Sequence, residues 1–289
     1  MHYGRTITIF WDDGTPDGII TASLSNWNGE CIKIPREDVS GADYDEMNGP
    51  GVYFLICTDT EDDQNAVYVG EAENLRTRLK QHIQDFKSGK EKYYWQNAVM
   101  FTGSELNKTL IRYLEHNLTM RAWAAKRYAV LTKNTFADSI VKRHEKAAME
   151  EFMDNIQTLL AALNYRILEP LPKGKEEKAT GDTRDADLFL KLGKAEGKGI
   201  LTEDGQFLLL AGSHVNDVQI KSCPPGAVKR REAAVADGSV SPDWITTEDM
   251  MFKSTSAAAS FLTGYAVSGP HSWKNEEGRS LFEMQKDGD

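Results

Sequence analysis

Residues 49–86 read GPGVYFLICTDTEDDQNAVYVGEAENLRTRLKQHIQDF, and the organisation of the chain is decided there. Gly49-Pro50-Gly51 punctuates the backbone, and Val52 to Cys57 is an apolar run of strand composition. The polar stretch Asp59 to Asn65 separates it from a second run, Ala66 to Gly70, so the two form a hairpin with a long tip. Asn74 then stands where a helix N-cap belongs, and the spacing predicts a helix over Leu75 to Phe86. On such a helix Arg78 and His82 are four residues apart and share a face.

Working outward, Thr6 to Trp11 and Ile19 to Leu24 read as two short strands joined through Asp-Gly turns, a small antiparallel unit ahead of the main domain. Downstream, Asn97 to Phe101 is a further strand. Thr102 and Glu105 fit a capping box that opens a helix to about Lys126, on which Leu106, Leu110, Leu114 and Leu118 recur every fourth residue. Glu115 borders that stripe. Another helix is expected from about Ala137 to Leu163. Residues 172–187, PKGKEEKATGDTRDAD, have almost no apolar content and read as a linker. Beyond it, a hairpin around Glu203-Asp204-Gly205 and helices at Ala227 to Val235 and Ser256 to Leu262 suggest a second α+β unit. The expected organisation is a leading segment at 1–46, a main domain at 47–170, a linker at 171–187 and an accessory domain at 188–285.

The three cysteines, Cys31, Cys57 and Cys223, are odd in number and far apart, which argues against both a disulfide framework and a four-ligand zinc site. No apolar run is long enough to span a membrane, and MHYGRTITIFWDD lacks the features of a secretory signal, so a cytoplasmic location and no membrane partner are expected. GKAEGKG at 193–199 lacks the spacing of a phosphate-binding loop, and no HExxH or GxSxG motif is present. The net charge of −10 conceals an asymmetry. Glu71 to Lys146 carries 15 Lys and Arg against 8 Asp and Glu, about +7, leaving about −17 elsewhere. A basic surface on an acidic chain is compatible with a phosphate-rich partner.

Gly51-Val52-Tyr53, Tyr68-Val69-Gly70 and Arg78, eight residues after Gly70, together with a later helical Glu115, resemble the GIY-YIG nuclease family over about residues 49–168. The likeness implies an α/β (α+β) fold, with a small three-stranded sheet flanked by helices. It implies metal-dependent endonuclease activity on nucleic acid, with DNA the expected substrate. The catalytic set it points to is Tyr53, Tyr68, Arg78, His82, Glu115 and Asn134, with Glu115 as ligand to Mg²⁺ or Mn²⁺. Candidates for nucleic-acid contact are Gly70, Arg76, Lys80, Arg121, Lys126 and Arg127. The residue types suit the chemistry. Phosphodiester hydrolysis needs a proton acceptor for water, fixed positive charge on the transition-state oxygens and a hard carboxylate for a divalent ion. Glu71, following the second tripeptide, is expected to weaken phosphate affinity locally. A second reading is a catalytically inactive nucleic-acid-binding or partner-binding protein on the same fold.

The stretch from about residue 185 to 281 resembles an uncharacterised domain found downstream of such nucleases, with contact to a protein partner or self-association as an expected role. There Trp273, Lys274, Asn275 and Arg279 could stack on a base and meet phosphate, while Trp273 could equally anchor the core.

Overall fold

The computed structural model describes residues 4–58, 64–133, 141–171 and 187–286. The chain divides into two compact units, Met1–Asp59 with Ala66–Pro170 and Thr60–Asn65 with Leu171–Asp289.

In the first unit the hairpin is realised as β4 (Gly51–Cys57) and β5 (Ala66–Ala72), and the helix that follows as α1 (Leu75–Lys87), where the Asn74 side chain accepts from the Thr77 N–H. The leading strands are β1 (Ile7–Trp11) and β2 (Ile20–Leu24). They do not stand apart. A strand with no clear signature in the sequence, β3 (Gly29–Pro35), pairs along its whole length with β6 (Asn97–Gly103). One sheet therefore runs β1-β2-β3-β6-β4-β5-β7, with β7 (Ala129–Val130) added parallel to β5 and all other pairs antiparallel. The sheet has seven strands rather than three because β6 offers hydrogen-bonding edges to both β3 and β4.

That pairing also moves a helix start. Thr102 and Gly103 lie opposite Glu30 and Gly29 in the ladder, so Thr102 is strand and caps nothing. The helix α2 is Lys108–Ala125, and its cap is Asn107, whose side chain accepts from the N–H groups of Thr109 and Leu110. The next helix, α3, is Arg143–Ala162. Residues 137–140 of the expected helix, most of the expected linker and Asn134 lie outside the described residues.

Every residue of β4 is buried, and its alternation sorts them into two cores. Val52, Phe54 and Ile56 pack with Val67, Val69 and the apolar faces of α2 and α3. Tyr53, Leu55 and Cys57 point the other way, toward Leu75, Leu79 and Ile83 of α1. The sheet is thus covered on both faces, and the two signature tyrosines belong to the α1 face.

The second unit has β8 (Asp187–Leu192), β9 (Ala195–Leu201), β10 (Phe207–Leu209) and β11 (Met250–Phe252) in the order β11-β10-β9-β8, all antiparallel. Its helices are α4 (Pro225–Asp237), α5 (Thr255–Thr263), α6 (Gly269–Ser272) and α7 (Leu281–Lys286). Buried Phe207 and Trp273 rings lie 4.4 Å apart at its centre, and the Trp273 Nε1–H donates to the Thr255 carbonyl at 2.9 Å. Of the two roles open to Trp273, core anchor is the one this burial supports; with its ring enclosed and its N–H occupied, it has no face for a base.

All three cysteine thiols are buried and unpaired with each other: Cys31 and Cys57 in the first unit, Cys223 in the second. Burial pushes each above its ordinary value, Cys57 to about 12.

Candidate active site

Strand register builds the site first. Tyr53 lies opposite Gly70, and Leu55 opposite Tyr68, so the two tyrosines are diagonal neighbours on one face. Gly70 is required by its neighbour. A Cβ there would stand 2.4 Å from Cζ and the hydroxyl of Tyr53, so only glycine lets the Tyr53 ring cross the strand. Gly51 is required by the sheet, since its Cβ would meet the Phe101 carbonyl oxygen at 2.3 Å. The glycines of both tripeptides thus answer to close approach of other groups.

The helix α1 then lowers Arg78 and His82 onto Tyr53. The Tyr53 hydroxyl is 2.8 Å from His82 Nε2 and accepts from Arg78 Nε at 3.2 Å. Arg78 Nη1 donates to Gln81 Oε1 at 2.8 Å, and the guanidinium also interacts with the Tyr68 hydroxyl. The rings of Tyr53 and Tyr68 are stacked at 6.2 Å, and the His82 imidazole meets both edge-on. Tyr53 and His82 are wholly buried, whereas Tyr68 and Arg78 are half-buried and retain access to solvent.

Electrostatics separates the two tyrosines. Burial, reinforced by Tyr68 and opposed by Arg78, raises the Tyr53 phenol well above its ordinary range, so Tyr53 stays protonated. Burial, with Arg78 adding to it, lowers His82 to about 3, so the imidazole is neutral at physiological pH. For Arg78, burial works against the charge, but the oxygens of Tyr53 and Tyr68 outweigh it and the guanidinium is held more firmly charged than usual.

Two further residues complete the surroundings. Glu91, in the turn after α1, places Oε1 2.5 Å from His82 Nδ1, and Tyr93 stacks on Tyr68 at 5.8 Å. Neither was legible in the motif spacing. Glu71, expected to repel phosphate, is 15 % exposed with Arg112 Nε of α2 at 3.9 Å, and Lys108 of α2 pairs with Glu73 at 2.9 Å. Burial raises the Glu71 carboxyl and Arg112 opposes that rise. The cations of α2 thereby offset the acids that follow the second tripeptide. Glu115 lies one turn beyond Arg112 on α2; it is 4 % exposed, with Oε1 3.5 Å from Thr119 Oγ1. The structure therefore gathers Tyr53, Tyr68, Arg78 and His82 into one cluster and places Glu115 in the helix on the opposite face of the sheet, which packs along β5.

The GIY-YIG catalytic domain model matches residues 49–121, a span holding both tripeptides, Arg78, His82 and Glu115. The first unit carries a GIY-YIG domain. Residues 188–285 match the domain of unknown function DUF4357. No curated protein and no solved structure matches the chain. GIY-YIG domains form a nuclease family, and in this one the expected phosphate contacts divide by their partners. Arg76 pairs with Asp43 and Arg121 with Asp154, both at the surface. Lys80 is half-buried on α1, and Lys126 ends α2 in the left-handed conformation, φ 55°. Arg127 is 5 % exposed and donates to the carbonyls of Glu169 and Pro170; it ties the end of the unit together instead of facing a ligand. Gly70 is buried beneath Tyr53 and contributes room, not contact. No described helix is long and apolar enough to cross a membrane.

Proposed function

We propose that this GIY-YIG domain hydrolyses phosphodiester bonds in DNA with the help of Mg²⁺ or Mn²⁺. The observation that carries the reading is the Arg78 guanidinium, oriented by the buried Tyr53 hydroxyl while still reaching solvent beside Tyr68. A charged fork held in place before substrate arrives is what a phosphoryl transition state requires, because no reorganisation is left to be done when charge develops.

The two tyrosines divide the labour. Tyr53, buried and protonated, is a support for Arg78. Tyr68, half-exposed and next to the same guanidinium, is the phenol that receives the proton of the attacking water. As water adds to phosphorus and the bond to the leaving oxygen breaks, Arg78 faces the charge on the non-bridging oxygens.

Among the described residues no three His, Cys, Asp or Glu side chains cluster as a metal cage. Mg²⁺ and Mn²⁺ do not need one, since one or two carboxylates with waters and a substrate phosphate suffice. Glu115 is a hard oxygen donor of that kind, withdrawn from bulk water on α2, and would hold the ion. An ion held there would supply positive charge to the phosphodiester as negative charge develops on it.

The test is cleavage of plasmid and single-stranded DNA with and without Mg²⁺ or Mn²⁺. Arg78→Ala and Glu115→Ala should each lower the rate by about 10²- to 10³-fold, the range for losing one preorganised charge-stabilising group, with DNA binding retained. Cleavage that persists in both variants, or that ignores added metal and chelator, would overturn the proposal. Salt-dependent binding with no cleavage of any substrate would favour the inactive nucleic-acid-binding reading instead.

A further inference from the structure

Two constraints hold residues 89–95 against α1. The N–H groups of Lys90 and Glu91 both donate to the Asp85 carbonyl, at 2.9 and 3.2 Å. The Arg36 guanidinium is enclosed by the rings of Phe86, Tyr94 and Trp95, at 4.6 to 4.9 Å. Glu91 is consequently delivered to His82 by a fixed turn, with its side chain 16 % exposed and its Oε1 2.5 Å from Nδ1.

A continuous line of contacts follows: Glu91 Oε1 to His82 Nδ1, His82 Nε2 to the Tyr53 hydroxyl, and the Tyr53 hydroxyl to Arg78 Nε. The direction of each bond can be worked out from one end. A carboxylate only accepts, so with His82 neutral its single proton sits on Nδ1 and donates to Glu91. Nε2 is then an acceptor, and it takes the Tyr53 O–H. The Tyr53 oxygen presents its remaining lone pairs to Arg78, whose guanidinium only donates. Reverse the imidazole, and Nε2–H would compete with Arg78 Nε–H for the same oxygen while the Tyr53 proton turned toward the guanidinium.

We propose that Glu91 is a positioning residue of this active site, fixing the His82 tautomer and through it the hydroxyl of Tyr53 that orients Arg78. Glu91 acts through two intermediaries and touches no reacting atom. Six other ionisable groups surround the pair and are common to all the variants below: Arg78 and Asp85 on α1, Arg36 after β3, Tyr53 on β4, Tyr68 on β5, and Tyr93 beside Glu91. The kinetic part of the inference rests on the nuclease reading; the tautomer part does not.

The experiment pairs ¹⁵N-histidine NMR of the full chain with single-turnover cleavage. Wild-type His82 should show a protonated Nδ1 and a bare Nε2. Glu91→Ala should shift the signal toward the Nε2–H tautomer and lower kcat by roughly 10- to 100-fold, the range for losing the partner of a functional imidazole, with KM nearly unchanged. The double variant Glu91→Ala/His82→Ala should be no slower than His82→Ala, because residues acting as one unit are not additive. Glu91→Gln, whose amide oxygen still accepts from Nδ1, should retain the tautomer and fall between wild type and Glu91→Ala in rate; it serves if Glu91→Ala does not fold. An Nε2–H tautomer in the wild type, wild-type kcat in Glu91→Ala, or wild-type kcat in a Glu91→Gln variant whose His82 has switched to the Nε2–H tautomer, would overturn the proposal. If the wild type cleaves nothing, the nuclease reading fails by itself, and the spectra still decide whether Glu91 sets the His82 proton.

Discussion

Arg78 in the first unit and Arg231 in the second are both withdrawn from water, yet their guanidinium groups end on different kinds of partner. Arg231, on α4 and 4 % exposed, donates to the backbone carbonyls of Phe261 and Asn216 and lies 5.5 Å above the Trp244 ring. Arg78 ends on side-chain oxygens, those of Tyr53 and Gln81, and keeps a route to solvent. The same contrast separates the buried aromatics: Trp273 hands its N–H to a carbonyl, whereas Tyr53 hands its hydroxyl to a histidine and an arginine. A backbone carbonyl cannot change protonation or turn away, so a polar group tied to one is a clamp. A polar group tied to other ionisable side chains belongs to a network whose proton positions can be set, and such networks are where chemistry is done.

The comparison is most exposed to pH. His82 is held at about 3 in the folded chain against an ordinary 6.5. The unfolded chain therefore takes up a proton first, and the stability His82 contributes is intact above pH 6.5 and is lost as pH falls from there toward 3. At about 1.4 kcal/mol per pH unit the loss has a ceiling on the order of 5 kcal/mol. Denaturant titrations at a series of pH values should show this limb in wild type and a flatter one in His82→Gln; equal slopes would mean that the buried imidazole is as easily charged as a free one. Next in size, Arg231→Met should cost about 2 to 4 kcal/mol in the second unit, since two carbonyls lose their donor, while leaving DNA cleavage by the first unit near the wild-type rate. A large loss of cleavage with little loss of stability would erase the distinction between clamp and network. The smallest effect, about 1 to 3 kcal/mol from overpacking, is expected for Gly70→Ala, where the new methyl drives into the Tyr53 ring. The rate should fall along with the melting temperature, because displacing Tyr53 displaces the acceptor of Arg78. An unaltered rate would show that Tyr53 does not orient the arginine.

The core of the cluster was legible because it is local. Two strands joined by a hairpin and the helix directly after them bring Tyr53, Tyr68, Arg78 and His82 together without any long-range choice of partner. What escaped was set by tertiary pairing. The threonine at 102 carries a good capping signal, but the ladder between β3 and β6 claims it and leaves the cap to Asn107. The strand β3 has a lysine and a proline in a seven-residue run and shows its character only when β6 lies beside it. Glu91 sits in Gly89-Lys90-Glu91-Lys92, which reads as a solvated turn, and nothing in its spacing from His82 signals a contact. Arg112 is an ordinary helical cation until β5 brings Glu71 alongside it.

The distribution of the cysteines has a practical consequence. Each unit hides its own protonated thiol, Cys31 and Cys57 in one and Cys223 in the other, and a thiol so placed is slow to alkylate until its surroundings open. The chain therefore carries a built-in reporter at each end. Mass spectrometry of peptides alkylated in graded urea would state which unit melts first, with no residue replaced and no label introduced.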